Sequence, residues 1–254
     1  MLFAAIVLAT SLGACKPATQ VGPAAHPGKE SAEDKAFGAR VKAYLLAHPE
    51  VLREAIDKLQ AQEDAQQEQA MAAADVKAKA ALPALRAALE HDGRDFVANP
   101  DGRITVTEFY DYRCPHCVNA APKVLALIRG DRSVRFVFKE MPIFGDTSEH
   151  AARVAIAAKA QGKDYVGLYQ AMMATHPLTD DAIDALAAQK GVNLAQTRDP
   201  KFVAAADVQI ADVAELARKL AVDGTPAFIV GDDIVHGEDM AAVSAAIARA
   251  RTKA

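Results

Sequence analysis

Cys114 and Cys117 are two of only three cysteines in the chain, and they stand two residues apart in the run Cys114-Pro115-His116-Cys117. Such a pair can supply half of a zinc site, close a small structural loop, or alternate between dithiol and disulfide. Zinc in a structural setting needs four ligands. No second CxxC and no HxxxH exists here, and His48, His91, His150, His176 and His236 are scattered singly, as surface or core histidines are. A structural disulfide at this spacing would close too small a loop to constrain the unfolded chain much. The redox reading gains from position. The pair follows an alternating, β-branched run at 103–110 and precedes a helical pattern at 121–129. A thiol at a helix start faces unpaired N–H groups and the positive end of the dipole, which favour the thiolate. Pro115 fits the first helical turn without wasting a donor. His116 can add a donor or a positive charge beside the sulfur.

The elements that must position this pair can be read from hydrophobic periods. Residues 103–110 and 134–140 read as strands around the helix at 121–129, a βαβ unit with a parallel pair. Residues 148–220 read as a helical insertion, with Ser148 as an N-cap and Gly162 ending its first helix. The segment TPAFIVGDDIVHG then gives an antiparallel hairpin, with Asp232 and Asp233 as turn residues, and a last helix follows over about 239–251. The fold class is α/β.

Upstream, residues 1–14 are uncharged and apolar, with the length of a signal-peptide core and too short to span a bilayer. Leu12, Gly13, Ala14 and Cys15 resemble a bacterial lipobox, whose cysteine is lipidated, although no Lys or Arg precedes the apolar core. Lys16 after that cysteine resembles the signal for outer-membrane retention. Residues 15–32 read as a flexible tether. Residues 33–93 read as a helical oligomerisation and spacer segment, in which Leu45, Leu52 and Leu59 recur every seven residues beside Val41 and Ile56, followed by a polar helical stretch over 60–80. The catalytic domain is expected over 94–254. A net charge of −4 makes nucleic acid a poor partner.

The segments FYDYRCPHC and GTPAFIVG, with the helical insertion between them, resemble the DsbA branch of the thioredoxin superfamily, and YLLAHPEVLREAIDKLQ resembles the oligomeric suppressor-of-copper-sensitivity C type. The resemblance implies a thioredoxin fold preceded by an N-terminal oligomerisation segment. It implies a thiol-disulfide oxidoreductase that needs no cofactor beyond its Cys114–Cys117 couple. Cys114 would be the nucleophile, Cys117 the shielded resolving thiol, Glu108 a buried acid accepting its proton, and Thr225-Pro226 a cis-proline site that binds an extended substrate. A Glu on the solvent face of its strand is the competing reading for Glu108. Thr before this proline leans toward isomerase or reductase. The implied partners are exported cysteine-containing proteins, a membrane redox protein that recharges the couple, and further copies of the chain, a trimer by the resemblance. The implied location is the periplasmic face of the cell envelope, held by the lipid anchor. Two other readings stand beside it: a monomeric dithiol oxidase, and a non-enzymatic protein that binds copper through soft thiolates or holds unfolded chains.

Overall fold

A computed structural model describes residues 31–253; the expected signal segment, Cys15 and the tether up to residue 30 lie outside the described residues. The chain divides into two compact units, Met1–Glu63 and Asp64–Ala254.

In the first unit, helix α1 (Ala32–Ala47) opens on a reciprocal cap: Asp34 N donates to Ser31 Oγ, while Ser31 N and Oγ donate to the Asp34 carboxylate. Helix α2 (Pro49–Glu90) starts on a proline whose missing N–H would be unpaired there anyway. No residue of α1 is buried. Phe37, Val41, Tyr44, Leu46, Val51, Leu52, Ile56 and Leu59 are each at least 37% exposed.

The division falls inside α2, not near residue 93 where the sequence drew it. The reason is packing within the second unit: Ala78 of α2 is buried, and Leu82 and Leu89 are buried against that unit's sheet and its helix α8 (Pro200–Lys219). The polar composition of 60–80 conceals this change of environment.

The sheet has five strands in the order β1-β3-β2-β4-β5. Strands β2 (Ile104–Tyr110) and β3 (Val134–Glu140) pair in parallel across helix α3 (Pro115–Gly130), with Glu108 opposite Phe138 and Tyr110 opposite Glu140. Strands β4 (Ala227–Val230) and β5 (Asp233–His236) form the expected antiparallel hairpin, and β4 pairs antiparallel with β2. The short strand β1 (Phe96–Ala98), antiparallel to β3, was not legible because three residues carry no period. Gly102 makes the turn into β2 possible, since a Cβ there would overlap the backbone of Val134 and Arg135.

Between β3 and β4 run α4 (Asp146–Ala160), α5 (Tyr165–Met173), α6 (Asp180–Gln189), α7 (Leu194–Thr197) and α8, and α9 (Met240–Lys253) closes the chain. Ser148 is not the cap of α4. Gly145, at φ 82°, occupies the cap, and Ser148 lies buried in the first turn.

Both faces of the sheet are covered, which explains the nearly unbroken apolar strands. Val106, Tyr110, Phe136, Phe138 and Phe228 pack with α3, α5 and α9; Phe109 and Ile229 pack on the other face with Leu82, Leu89 and α8. The end of α2 is tied to that second face by polar contacts. Thr107 Oγ1 donates to Leu89 O at 3.2 Å, and Lys139 Nζ donates to Ala88 O at 2.6 Å while pairing with the buried Asp95 carboxylate. Among the described residues no helix is long and apolar enough to cross a membrane, and no group of three or more His, Cys, Asp or Glu could hold a metal ion.

Candidate active site

Strand β2 delivers the chain to the site. Its last residue, Tyr110, accepts from Met141 N at 2.8 Å, so the ends of β2 and β3 are pinned side by side. Residues 111–113 then turn the chain, and Cys114 takes the N-cap position of α3 in an extended conformation, with Pro115 at the first helical position. This is the helix-start placement that the spacing predicts. Both thiols are reduced and buried, Cys114 at 2% exposure and Cys117 at 0%.

The two sulfurs differ sharply. The Cys114 thiol is drawn down to about 5, first by the Cys117 S–H, then by the Thr225 hydroxyl and the backbone N–H groups of Cys117 and His116; burial works against them. Burial pushes the Cys117 thiol far up, and the hydrogen bond to Cys114 and the nearby Glu108 carboxyl push the same way. Cys114 therefore ionises first, with Cys117 retaining the proton that stabilises it.

Thr225 meets Cys114 from the segment just before β4. In the neutral state the Cys114 thiol donates to Thr225 O at 3.1 Å. Thr225 Oγ1 has no hydrogen-bond partner among the described residues, so its proton can turn to the sulfur once the thiol ionises. The Thr225–Pro226 peptide is cis.

Glu108 lies fully buried on the α3 side of β2, so its side chain faces the core rather than solvent. Neither carboxyl oxygen has a hydrogen-bond partner among the described residues, and burial holds its pKa well above the usual carboxylate range. It can thus take and release a proton beside Cys117. His116 stands elsewhere: its ring is 66% exposed, with Nδ1 3.4 Å from Glu238 Oε1. What His116 gives the Cys114 sulfur is its backbone N–H. Cys15 lies outside the described residues.

Two groups were not singled out from the sequence. Asp111, at 2% exposure, accepts through Oδ1 from Arg113 N at 2.7 Å and Ser148 Oγ at 2.8 Å, and through Oδ2 from Ile143 N at 2.7 Å and Phe144 N at 3.1 Å. An acid between two tyrosines, three residues before Cys114, was the available signal. The second is a tyrosine cluster against a buried acid. Tyr110 OH bonds Tyr112 OH at 2.8 Å and Tyr165 OH at 2.7 Å, Tyr165 donates to Glu140, and burial lifts that carboxyl to about 7. Around the site, Ile143 and Phe144 are each 45% exposed.

The family described as DSBA-like thioredoxin domain matches residues 105–248, and the copper resistance protein ScsC N-terminal domain matches residues 33–66. A thioredoxin-like oxidoreductase from Silicibacter pomeroyi DSS-3 is similar at 36% identity and a TM-score of 0.62, covering 66% of this chain and 99% of that one. Proteus mirabilis ScsC in a compact conformation is similar at 26% identity and a TM-score of 0.57, covering 78% and 96%. Among curated relatives, the Na(+)/H(+) antiporter NhaA 1 of Salinispora arenicola is 29% identical over 162 residues, 62% of this chain but 25% of the antiporter, so the chain spans about a quarter of that relative. The thiol:disulfide interchange protein DsbA of Burkholderia cepacia is 26% identical over 152 residues, 54% of this chain and 71% of that one.

Proposed function

The chain belongs to the DSBA-like thioredoxin-domain family and carries an N-terminal segment of the ScsC type, and from that premise we propose that it exchanges disulfides with exported proteins through Cys114 and Cys117. One observation carries this reading: adjacent buried thiols of opposite character, Cys114 drawn down to about 5 and Cys117 pushed far up. A depressed thiolate is both nucleophile and good leaving group, and an elevated one stays protonated until its turn comes.

In the reducing direction, the Cys114 thiolate attacks one sulfur of a substrate disulfide. A Cys114–substrate bond forms, the substrate S–S bond breaks, and a substrate thiolate leaves. Glu108 first releases its own proton to water; Cys117 then yields its proton to that carboxylate and attacks Cys114 Sγ. That step forms the Cys114–Cys117 disulfide, frees the second substrate thiolate, and leaves two electrons on the substrate. Rearrangement within the substrate before this second attack gives isomerisation; the reverse sequence gives oxidation. Extended substrate backbone is expected to pair beside Thr225, just before the cis proline that faces Cys114.

Isomerase or reductase is the preferred direction. It is supported by Thr225 and by the exposed apolar stripe of α1 and α2, which suits an assembly that surrounds misfolded chains with several Cys114 sites. A trimer is the favoured assembly, the periplasmic side of the envelope the favoured location, and Cys15 the proposed anchor toward the outer membrane. A membrane redox protein recharges the couple.

Brief alkylation of the reduced protein at mildly acidic pH, followed by peptide mass spectrometry, should label Cys114 and spare Cys117. Cys117→Ser should accumulate a mixed disulfide with a scrambled substrate, and Cys114→Ser should form none. Equal labelling of both thiols would overturn the assignment.

A further inference from the structure

Asp111 is the most heavily bonded side chain near the thiols, yet the reaction sequence above does not use it. Its two oxygens hold four donors: Arg113 N, Ile143 N, Phe144 N and Ser148 Oγ. They come from three places, the turn leading to Cys114, the loop after β3, and the first turn of α4. Its backbone reaches the couple directly. Asp111 O accepts from Cys114 N at 3.2 Å, and Asp111 N–H faces the Cys117 sulfur. The peptide on either side of one residue therefore touches both cysteines, and the side chain of that residue clamps it to two other elements.

We propose that Asp111 is a positioning residue for the resolving step: its carboxylate fixes the turn between β2 and α3 so that Cys117 is held ready to attack the Cys114 sulfur. The effect is selective because the two sulfurs draw on different supports. The Cys114 sulfur is served by Cys117, Thr225 and the first N–H groups of α3, none of which is a donor of residue 111; only the Cys114 backbone N–H rests on Asp111 O. Cys117 takes the backbone hydrogen bond that favours its thiolate from Asp111 itself. Released from four donors, the 111 peptide is free to turn, and its N–H leaves Cys117. A buried carboxylate in so crowded a setting is also not replaceable by an amide, since either orientation of Asn would point its NH2 at a backbone N–H, of Arg113 or of Ile143 and Phe144.

The inference rests on the proposed disulfide exchange. Its test separates the two steps by rapid mixing of the full-length reduced protein with a disulfide-bonded peptide, acid quenching, and mass spectrometry of the mixed disulfide. In Asp111→Asn, formation of the mixed disulfide should stay within about twofold of wild type, while its resolution slows about tenfold or more. The thiolate titration of Cys114 should remain near its wild-type midpoint. Ser148→Ala removes one donor without touching the cysteine-bearing turn, and should show the same selective slowing to about two- to fivefold, which keeps the idea testable if Asp111→Asn does not fold. Equal slowing of both steps, or unchanged resolution in folded protein of both variants, would refute the role of Asp111. Absence of any mixed disulfide in wild type would instead refute the exchange reaction itself.

Discussion

The donors available to the ionised Cys114 sulfur fix a pH window. The thiol is depressed from 9.0 to about 5, so the reduced fold gains stability as pH rises above about 5, holds it fully above about 9, and loses it as pH falls through 5. At pH 7 the gain is about 3 kcal/mol. The disulfide form lacks this ionisation. The stability difference between reduced and oxidised protein should therefore shift toward the oxidised form as pH falls from about 9 to about 5, and ultraviolet thiolate absorbance should titrate with a midpoint near 5; a midpoint above 8 would contradict the geometry at the α3 start. Glu108 works with the opposite sign. Its carboxyl is raised, so the fold loses stability as pH rises above the ordinary value of 4.5, where the unfolded chain sheds the proton and the native state keeps it. Glu108→Gln should remove that slope, which is up to about 1.4 kcal/mol per pH unit, and so be more stable than wild type at pH 8. It should also prolong the mixed disulfide. A variant that is less stable at every pH would show that Glu108 has a partner in the folded protein.

At the scale of elements, the last turns of α2 behave as part of the catalytic unit. Leu89 is 1% exposed, and Leu89→Ala should cost about 2–5 kcal/mol in denaturant unfolding while leaving the Cys114 titration in place. Lys139→Met takes from the buried Asp95 carboxylate the cation it pairs with. It should cost about 3–5 kcal/mol at pH 8 and less at pH 5, since burial already lifts Asp95 to about 6 and the Lys139 charge holds it down from higher. These ties show where the sequence was legible. The βαβ unit, the insertion and the hairpin carry periods of their own, and Cys114, Cys117 and Thr225-Pro226 sit at their ends. Glu108 could be named, but its burial depended on strand register, which the pairing with Phe138 settles. Asp111 with Ser148, thirty-seven positions away, and Glu140 with Tyr165 are contacts between elements whose relative placement no local pattern encodes. The polar run over 60–80 hid the point at which α2 begins to be buried, because Leu82 and Leu89 declare themselves only against β2 and α8.

For the whole molecule, the exposed residues of the first unit and the buried residues of the second prescribe different cuts. A chain beginning at Asp64 keeps Ala78, Leu82 and Leu89, and should fold, titrate like wild type, and be monomeric by light scattering. A chain beginning at 94 uncovers Phe109 and Ile229 and should be markedly less stable. Full-length protein should scatter as an oligomer at micromolar concentration, and a monomer there would count against assembly through α1 and α2. The tyrosine cluster has a further, optical consequence. The chain has no tryptophan and five tyrosines; four of these, Tyr110, Tyr112, Tyr165 and Tyr169, lie fully buried, and Tyr110 and Tyr165 hydrogen-bond to the Glu140 carboxyl. An excited phenol that is hydrogen-bonded to a carboxylate passes its proton on instead of emitting light. The native protein should be dim and should brighten as this cluster opens, so its unfolding can be followed by its own fluorescence without an added label.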